Sequence, residues 1–190
     1  VSWTDILWDP ITGCWGSHRQ VCSSYCYAAF CARRLFRESH LANPHVAPGC
    51  DPDDPFAIRF WPERLEEPLK LVRPSRILVC SLGELFSGWV PSAWIAQVLQ
   101  IVRQCPQHIF QMVTREPQNV HWWNPLPHNV WLGATATDRA MAETAVHALS
   151  EVRARLKFLC LAPLLGDIDG AALQGIDWLV VGDLQGSNGA

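Results

Sequence analysis

The second half of the chain alternates short apolar runs with amphipathic stretches, and this alternation limits the fold more than any other feature of the sequence. Five runs are rich in Val, Ile and Leu and nearly continuously apolar: Ile77 to Ser81, Ile109 to Thr114, Val130 to Thr135, Lys157 to Leu161 and Trp178 to Gly182. Such runs are typical of parallel strands buried on both faces. A weaker run at Asp5 to Trp8 predicts one more strand. The sequence therefore indicates an α/β protein with a parallel sheet of about six strands, open or curved into a barrel.

The stretches between these runs carry helix signals. Pro91 suits a first helical position, and apolar residues from Trp94 to Val102 share one face. Asp138 predicts the N-cap of a helix that reaches about Val152. Further helical segments are predicted at Tyr25 to Ser39, Pro62 to Lys70, Pro117 to Trp123 and Ile168 to Leu173.

The chain of 190 residues is long enough for one domain with a substantial core. We expect a single α/β domain over residues 1–190, with a cysteine loop and first helix at 1–40 and strand–helix units at 75–190. The stretch 43–60 begins with many Pro, Asp and Gly residues and predicts an exposed loop.

Composition argues against several classes of protein. The net charge of −3 gives no electrostatic reason for binding to nucleic acid or to a membrane. No apolar run has membrane-spanning length and no signal-peptide pattern is present, so we expect a cytoplasmic protein. Eight cysteines in a chain with its own core and no export signal favour metal chemistry over a disulfide framework.

Three cysteines near the start form the most specific chemical motif. Seven residues separate Cys14 from Cys22, and three separate Cys22 from Cys26. Thiolates at these spacings can bind three irons of a [4Fe–4S] cluster and leave the fourth iron open for another ligand. Cys26 is expected at the start of a helix, where the helix dipole favours an anionic thiolate. Tyr27 beside it would shield the cluster from water.

Two other interpretations of these cysteines stay open. Adding Cys31 or His18 to the three cysteines completes a tetrahedral zinc site, although the chain has no Cys-x2-Cys pair of the usual zinc kind. The thiols can also be unliganded, with Cys22 and Cys26 simply one helical turn apart.

Polar residues follow the predicted strands at their carboxyl ends, where parallel α/β folds bind ligands. The candidate cofactor-binding positions are Tyr27, Ser81, Glu84, Thr114, Arg115, Thr135, Gly182 and Asp183. Plainer roles compete with these: Glu84 as the cap of the next helix, and Arg115 in a surface salt bridge. Cys80 and Cys160 are expected to be buried, inert thiols. No catalytic residue can be named from the sequence.

Segments along nearly the whole chain resemble, in order, one known family. They include Trp8-Asp9-Pro10, Thr12-Gly13-Cys14, Cys26-Tyr27-Ala28, Pro62-Glu63-Arg64-Leu65, Arg76-Ile77-Leu78-Val79, Thr114-Arg115, Asn129 to Gly133, Pro163 to Gly166 and Trp178 to Gly182. On these segments the chain resembles the phage gp-thirty-seven/gp-sixty-eight protein family, which is radical-SAM-like. The resemblance implies a partial (β/α)6 barrel with a three-cysteine [4Fe–4S] cluster.

The resemblance also implies a cofactor and a reaction. Such enzymes bind S-adenosylmethionine at the open iron, accept an electron from a donor, and abstract hydrogen from a substrate, which is unknown here. The chain departs from its relatives in cysteine gaps longer by one residue, in Ala162 where they carry Glu, and in Gly182-Asp183-Leu184 where they read Gly-Gly-Glu. Relatives continue further, so a C-terminal segment is expected to be missing. The alternative is a non-catalytic, metal-stabilised module that binds a protein or nucleic-acid partner.

Overall fold

Six strands form one all-parallel sheet in the computed structural model, which describes residues 3–15 and 26–182. The strands are β1 (Ile6–Trp8), β2 (Ile11–Thr12), β3 (Arg59–Phe60), β4 (Arg76–Val79), β5 (Ile109–Thr114), β6 (Val130–Thr135), β7 (Leu156–Leu161) and β8 (Trp178–Val181). The sheet has the order β1-β4-β5-β6-β7-β8, and β2 pairs with β3 as a separate antiparallel ribbon. The predicted parallel α/β fold is confirmed, including its weak first strand.

Four α-helices lie among these strands in the described part of the chain: α1 (Tyr27–Arg34), α2 (Arg37–Ala42), α3 (Ser92–Gln104) and α4 (Arg139–Ser150). Short 3-10 helices lie at Pro62–Arg64, Glu67–Lys70, Pro117–Trp123 and Gly170–Leu173. Asp138 caps α4 as predicted, because its carboxylate accepts the Met141 N–H at 2.9 Å. Within residues 3–15 and 26–182, no helix is both long and apolar enough to cross a membrane.

Two predicted helices are divided in the structure. The helix expected from Tyr25 to Ser39 is two helices, because the N–H groups of Leu35 and Phe36 both bond to the Cys31 carbonyl, at 2.8 and 2.9 Å, and end α1. The helix expected from Pro62 to Lys70 is two 3-10 turns. Pro68 has no N–H to donate, so a continuous α-helix cannot pass through it.

The exposed loop predicted at 43–60 is wrong for its second half. Residues 51–53 are exposed, but residues 55–60 are all buried and include β3. Phe56, Ile58 and Phe60 bring apolar side chains into the interior. Arg59 is also fully buried, and its guanidinium donates to the carbonyl oxygens of Pro52 at 2.5 Å and Asp54 at 2.7 Å.

One face of the sheet is filled by aromatic side chains. The Phe158 ring on β7 lies 5.1 Å from the Trp178 ring on β8 and 6.0 Å from the Trp3 ring, which precedes β1. The Trp3 carbonyl also accepts a hydrogen bond from the Gln111 amide at 3.1 Å. Gly133, opposite Phe158 in the register of β6 and β7, leaves the space that this ring occupies.

A methyl group at residue 133 should destabilise the fold. A Cβ at Gly133 would lie 2.5 Å from the ring of fully buried Phe158. We expect Gly133→Ala to lower the free energy of unfolding by about 1–3 kcal/mol, as overpacking of cores does. Urea unfolding measures this, and Gly170→Ala is the control because no atom lies within 4 Å of its Cβ position. Equal urea midpoints for the two variants would contradict the packing described here.

Candidate functional site

A cavity of about 280 Å³ opens at the carboxyl ends of the central strands. The loops after β4 and β5 and the ends of β6 and β7 contribute to its wall, and two of the three motif cysteines lie there as well. Its polar and sulfur-bearing lining residues are Cys14, Cys26, Tyr27, Cys80, Ser81, Glu84, Arg115, Thr135 and Cys160. Apolar residues such as Trp3, Phe56 and Val113 form the rest of the wall. The topology thus brings sequence-distant candidates to one place.

A second cavity, of about 310 Å³, lies between β1, β4 and the turn at 67–71. Its wall is apolar, formed by Trp8, Leu71 and their neighbours, with Glu67 and Lys70 as its charged residues. It contains none of the predicted site residues, which line the cavity at the strand ends instead or lie elsewhere in the chain.

Cys14 is held in place through its backbone. Its N–H donates to the Phe56 carbonyl at 3.3 Å, and the preceding Gly13 donates to the Leu82 carbonyl at 2.9 Å. Gly13 has φ 84°, and a Cβ there would lie 2.2 Å from the Ala57 carbonyl oxygen. Only glycine fits this left-handed, closely packed position, which turns the chain into the cysteine loop.

Cys26 is the N-cap of α1, as the sequence predicts for the start of a helix. Its sulfur accepts the Ala29 N–H at 3.4 Å. The amino end of a helix stabilises negative charge, so this position favours the thiolate form of Cys26. Cys22 and His18 lie outside the described residues. Among residues 3–15 and 26–182, no three His, Cys, Asp or Glu side chains are grouped as metal ligands.

The side chains of Tyr27 and Cys31 are joined by a hydrogen bond. Cys31 is buried, and the pKa of Tyr27 is raised first because its hydroxyl donates a hydrogen bond to the Cys31 sulfur and second by the electrostatic effect of Cys31. Cys31 does not line the cavity, whereas Tyr27 does, with 69% of its surface exposed. This arrangement supports Tyr27 as a cover beside Cys26 more than it supports Cys31 as a metal ligand.

Glu84 joins the ends of β4 and β5. Its carboxylate accepts hydrogen bonds from the Thr114 hydroxyl at 2.7 Å, the Arg115 N–H at 2.7 Å and the Phe86 N–H at 3.1 Å. Burial raises the pKa of Glu84, and these three donors oppose that shift. The interpretation of Glu84 as a cap of the next helix is wrong, because it bonds to the strand ends and α3 begins only at Ser92.

Thr114 serves the same junction. Its hydroxyl donates to Glu84 and accepts the Glu116 N–H at 2.9 Å, and it does not line the cavity. The Glu116 carboxylate accepts from the Asn119 amide at 2.8 Å. Thr114 therefore supports the junction without lining the cavity, whereas Glu84 both supports the junction and lines the cavity.

Arg115, Thr135 and Cys160 also line the cavity, and Thr135 is paired with Cys160 in the register of β6 and β7. Burial raises the pKa of the Cys160 thiol, and the charge of Arg115 opposes this. A guanidinium and a threonine hydroxyl that line one cavity can both bind a carboxylate or phosphate group. Cys160 is half-buried here, so the predicted pair of buried thiols holds for Cys80 alone.

Cys80 has an unusual backbone conformation. It is buried at the cavity wall with φ 54°, a left-handed angle that residues other than glycine rarely adopt. Burial raises its thiol pKa well above the ordinary value. The strained turn directs the chain into Ser81, whose hydroxyl lies 3.1 Å from both carboxylate oxygens of Asp9.

The sequence interpretation missed Asp9. Its carboxylate accepts the Leu82 N–H at 2.9 Å as well as the Ser81 hydroxyl, and burial raises its pKa. Its position could have indicated this role, because Asp9 directly follows β1 and so lies at the same edge of the sheet as the other candidates. Gly182 does not line the cavity, and a Cβ there would lie 2.9 Å from the Cβ of Ala162. Asp183 lies outside the described residues.

Comparison with known proteins places the chain in a family. A family model described as "Protein of unknown function (DUF5131)" matches residues 1–189. The chain therefore belongs to this family. Searches of curated proteins and of solved structures found no match.

Replacing the carboxylate of Glu84 should loosen the junction of β4 and β5. Glu84→Gln replaces one carboxylate oxygen by an amide N–H₂, which is a donor and cannot accept the Arg115 N–H. Because a buried donor then lacks an acceptor, we expect the free energy of unfolding to fall by about 1–3 kcal/mol. Exposed Glu63→Gln is the control. Similar stabilities of the two variants would contradict the role given to Glu84.

The raised pKa of Glu84 also predicts a pH dependence. The native state holds the Glu84 proton more tightly than the unfolded state, so stability falls as pH rises from the ordinary glutamate value through the raised one. We expect chemical unfolding at several pH values to show this decrease in the native chain and a smaller decrease in Glu84→Gln.

Proposed function

We propose that this protein is a radical-SAM-type enzyme in which Cys14, Cys22 and Cys26 hold a [4Fe–4S] cluster. One observation carries the proposal: Cys14 and Cys26 line one cavity at the carboxyl ends of a parallel six-stranded sheet. This edge is where open and barrel α/β proteins bind their ligands and cofactors. The sequence resemblance described above supports the same function independently.

The residues of the site suit an anionic cluster. Cys26 has its thiol at the amino end of α1, and Cys14 follows a glycine turn fixed by three backbone contacts. Trp3, Phe56 and Leu78 exclude water from the cavity wall, which strengthens electrostatic interactions inside it. Tyr27 covers the side of the cavity next to Cys26.

A cluster bound by these cysteines would supply the one-electron reduction of S-adenosylmethionine, and its electron would come from an external donor. In the proposal, Arg115 binds the carboxylate of this cofactor or an anionic group of the substrate, and Thr135 and Ser81 offer hydroxyls beside it. Glu84 and Thr114 hold Arg115 in position through its backbone N–H. Gly182 and Asp183 stay predicted cofactor-binding residues.

One observation favours a second function. Ala162 lines the cavity at the position where the sequence resemblance implies a glutamate, so residue 162 offers no carboxylate to a cofactor amino group. This would suit a non-catalytic, metal-stabilised module, with zinc or an iron–sulfur cluster, that acts with a protein or nucleic-acid partner.

Metal analysis and product analysis distinguish these functions. We expect protein reconstituted anaerobically to hold about four irons and four sulfides per chain, as a [4Fe–4S] cluster requires. With a reductant and S-adenosylmethionine it should then release 5′-deoxyadenosine, measured by chromatography. Zinc without iron would contradict the cluster. A reducible cluster without 5′-deoxyadenosine would contradict the catalytic proposal and support the module.

Each motif cysteine should be required for iron. We expect Cys14→Ala, Cys22→Ala and Cys26→Ala to lose most of the iron and its visible absorption, because a cluster held by three thiolates loses a third of its protein ligands. Cys50→Ala is the matched control, since Cys50 is also half-buried but does not line the cavity. Iron content that is equal in all four variants would rule out the motif cysteines as ligands.

A further inference from the structure

An aspartate binds each end of β1 to the neighbouring strand β4. At the amino end, the Asp5 carboxylate accepts from the Arg76 N–H at 2.8 Å and from its guanidinium at 2.9 and 3.2 Å. At the carboxyl end, the Asp9 carboxylate accepts from Leu82 and Ser81, which follow β4. Both aspartates therefore connect β1 to β4, but only Asp9 makes this connection at the carboxyl ends of the strands, where the cavity lies.

The contacts of Asp9 continue directly to the first motif cysteine. Leu82, whose N–H is bound by Asp9, accepts the Gly13 N–H on its carbonyl at 2.9 Å. Gly13 also forms a parallel bridge with Gly83, and its carbonyl accepts the Glu84 N–H at 3.1 Å. Gly13 is the left-handed residue that directs Cys14 into the cavity.

We propose that Asp9 is a positioning residue of the cysteine site: through Leu82 and Gly13 it fixes where the Cys14 sulfur lies. That this sulfur binds a metal rests on the function proposed above, whereas the positioning itself does not. Replacing a group that orients a metal ligand typically lowers metal affinity by about 10–100-fold.

The positioning can be tested without any metal. In metal-free protein under reductant, iodoacetamide alkylation of Cys14 is measured by mass spectrometry, with Cys50 of the same molecule as the internal reference. We expect Asp9→Ala to raise the Cys14 rate relative to Cys50 about tenfold, since it removes charge-assisted hydrogen bonds that hold the loop. Asp5→Ala is the matched control, because it removes the equivalent contacts at the far end of β1.

Asp9→Asn keeps the size of the side chain and one oxygen for Leu82, so we expect a smaller increase in the Cys14 rate. If Asp9→Ala does not fold, the Cys14 rate in Asp9→Asn is used to test the inference. All rates are taken well below the unfolding temperature of each variant. Equal relative rates of Cys14 in the native chain and in the folded Asp9 variants, or an equal rise in Asp5→Ala, would overturn the inference.

The metal gives a second, separable measurement. After anaerobic reconstitution with Fe²⁺ and sulfide, we expect Asp9→Ala to release iron to EDTA roughly 10–100-fold faster than Asp5→Ala, the usual effect of removing a group that orients a ligand. If the native chain takes up no iron, the proposed function fails and the alkylation rates alone decide the role of Asp9. Iron uptake with equal release from both variants would show that Asp9 does not position a ligand.

Discussion

The arrangement of the site depends on the hydrogen bonds of Glu84. Its side-chain carboxylate binds Thr114 and Arg115 at the end of β5, and its backbone N–H binds the Gly13 carbonyl just before Cys14. One residue thus joins two strand ends to the cysteine loop. Burying a carboxylate is unfavourable unless its oxygens are bonded, and here three donors meet that need. Glu84 therefore links three of the segments that line the cavity, at Cys14, at Glu84 itself and at Arg115.

Much of the fold could be predicted from the sequence because its strands are short-range signals. A strand buried on both faces is mostly apolar, and β4 to β7 show this in their own residues. The edge strand β8 has the same apolar sequence but leaves Leu179 and Val181 exposed. Helix breaks were harder to predict. The end of α1 depends on two N–H groups that share the Cys31 carbonyl, a choice the local sequence does not reveal.

The site could be predicted only in outline. Strand ends of a parallel sheet meet at one edge, so Cys14, Ser81, Arg115 and Thr135 were expected near one another, and the cavity brings them together. The partners of Asp9 and Glu84 lie many residues away in the chain, and no pattern in the sequence indicates such pairs. The burial of 55–60 likewise depends on contacts that β3 makes with β2.

Buried Arg59 has a consequence for how the cysteine loop is supported. Its side chain is buried, and its two terminal amino groups donate to the carbonyl oxygens of residues 52 and 54, which take the place of water at those two groups. The loop from 52 to 57 is therefore folded around an ion, with the planar fork of arginine setting where its carbonyls point. The Phe56 carbonyl, which receives the Cys14 N–H, belongs to this loop. The Arg59 side chain does not line the cavity, but it holds the loop that contributes Phe56 to the cavity wall. A lysine at position 59 lacks the planar fork, so its ammonium would require these carbonyl groups to be arranged differently.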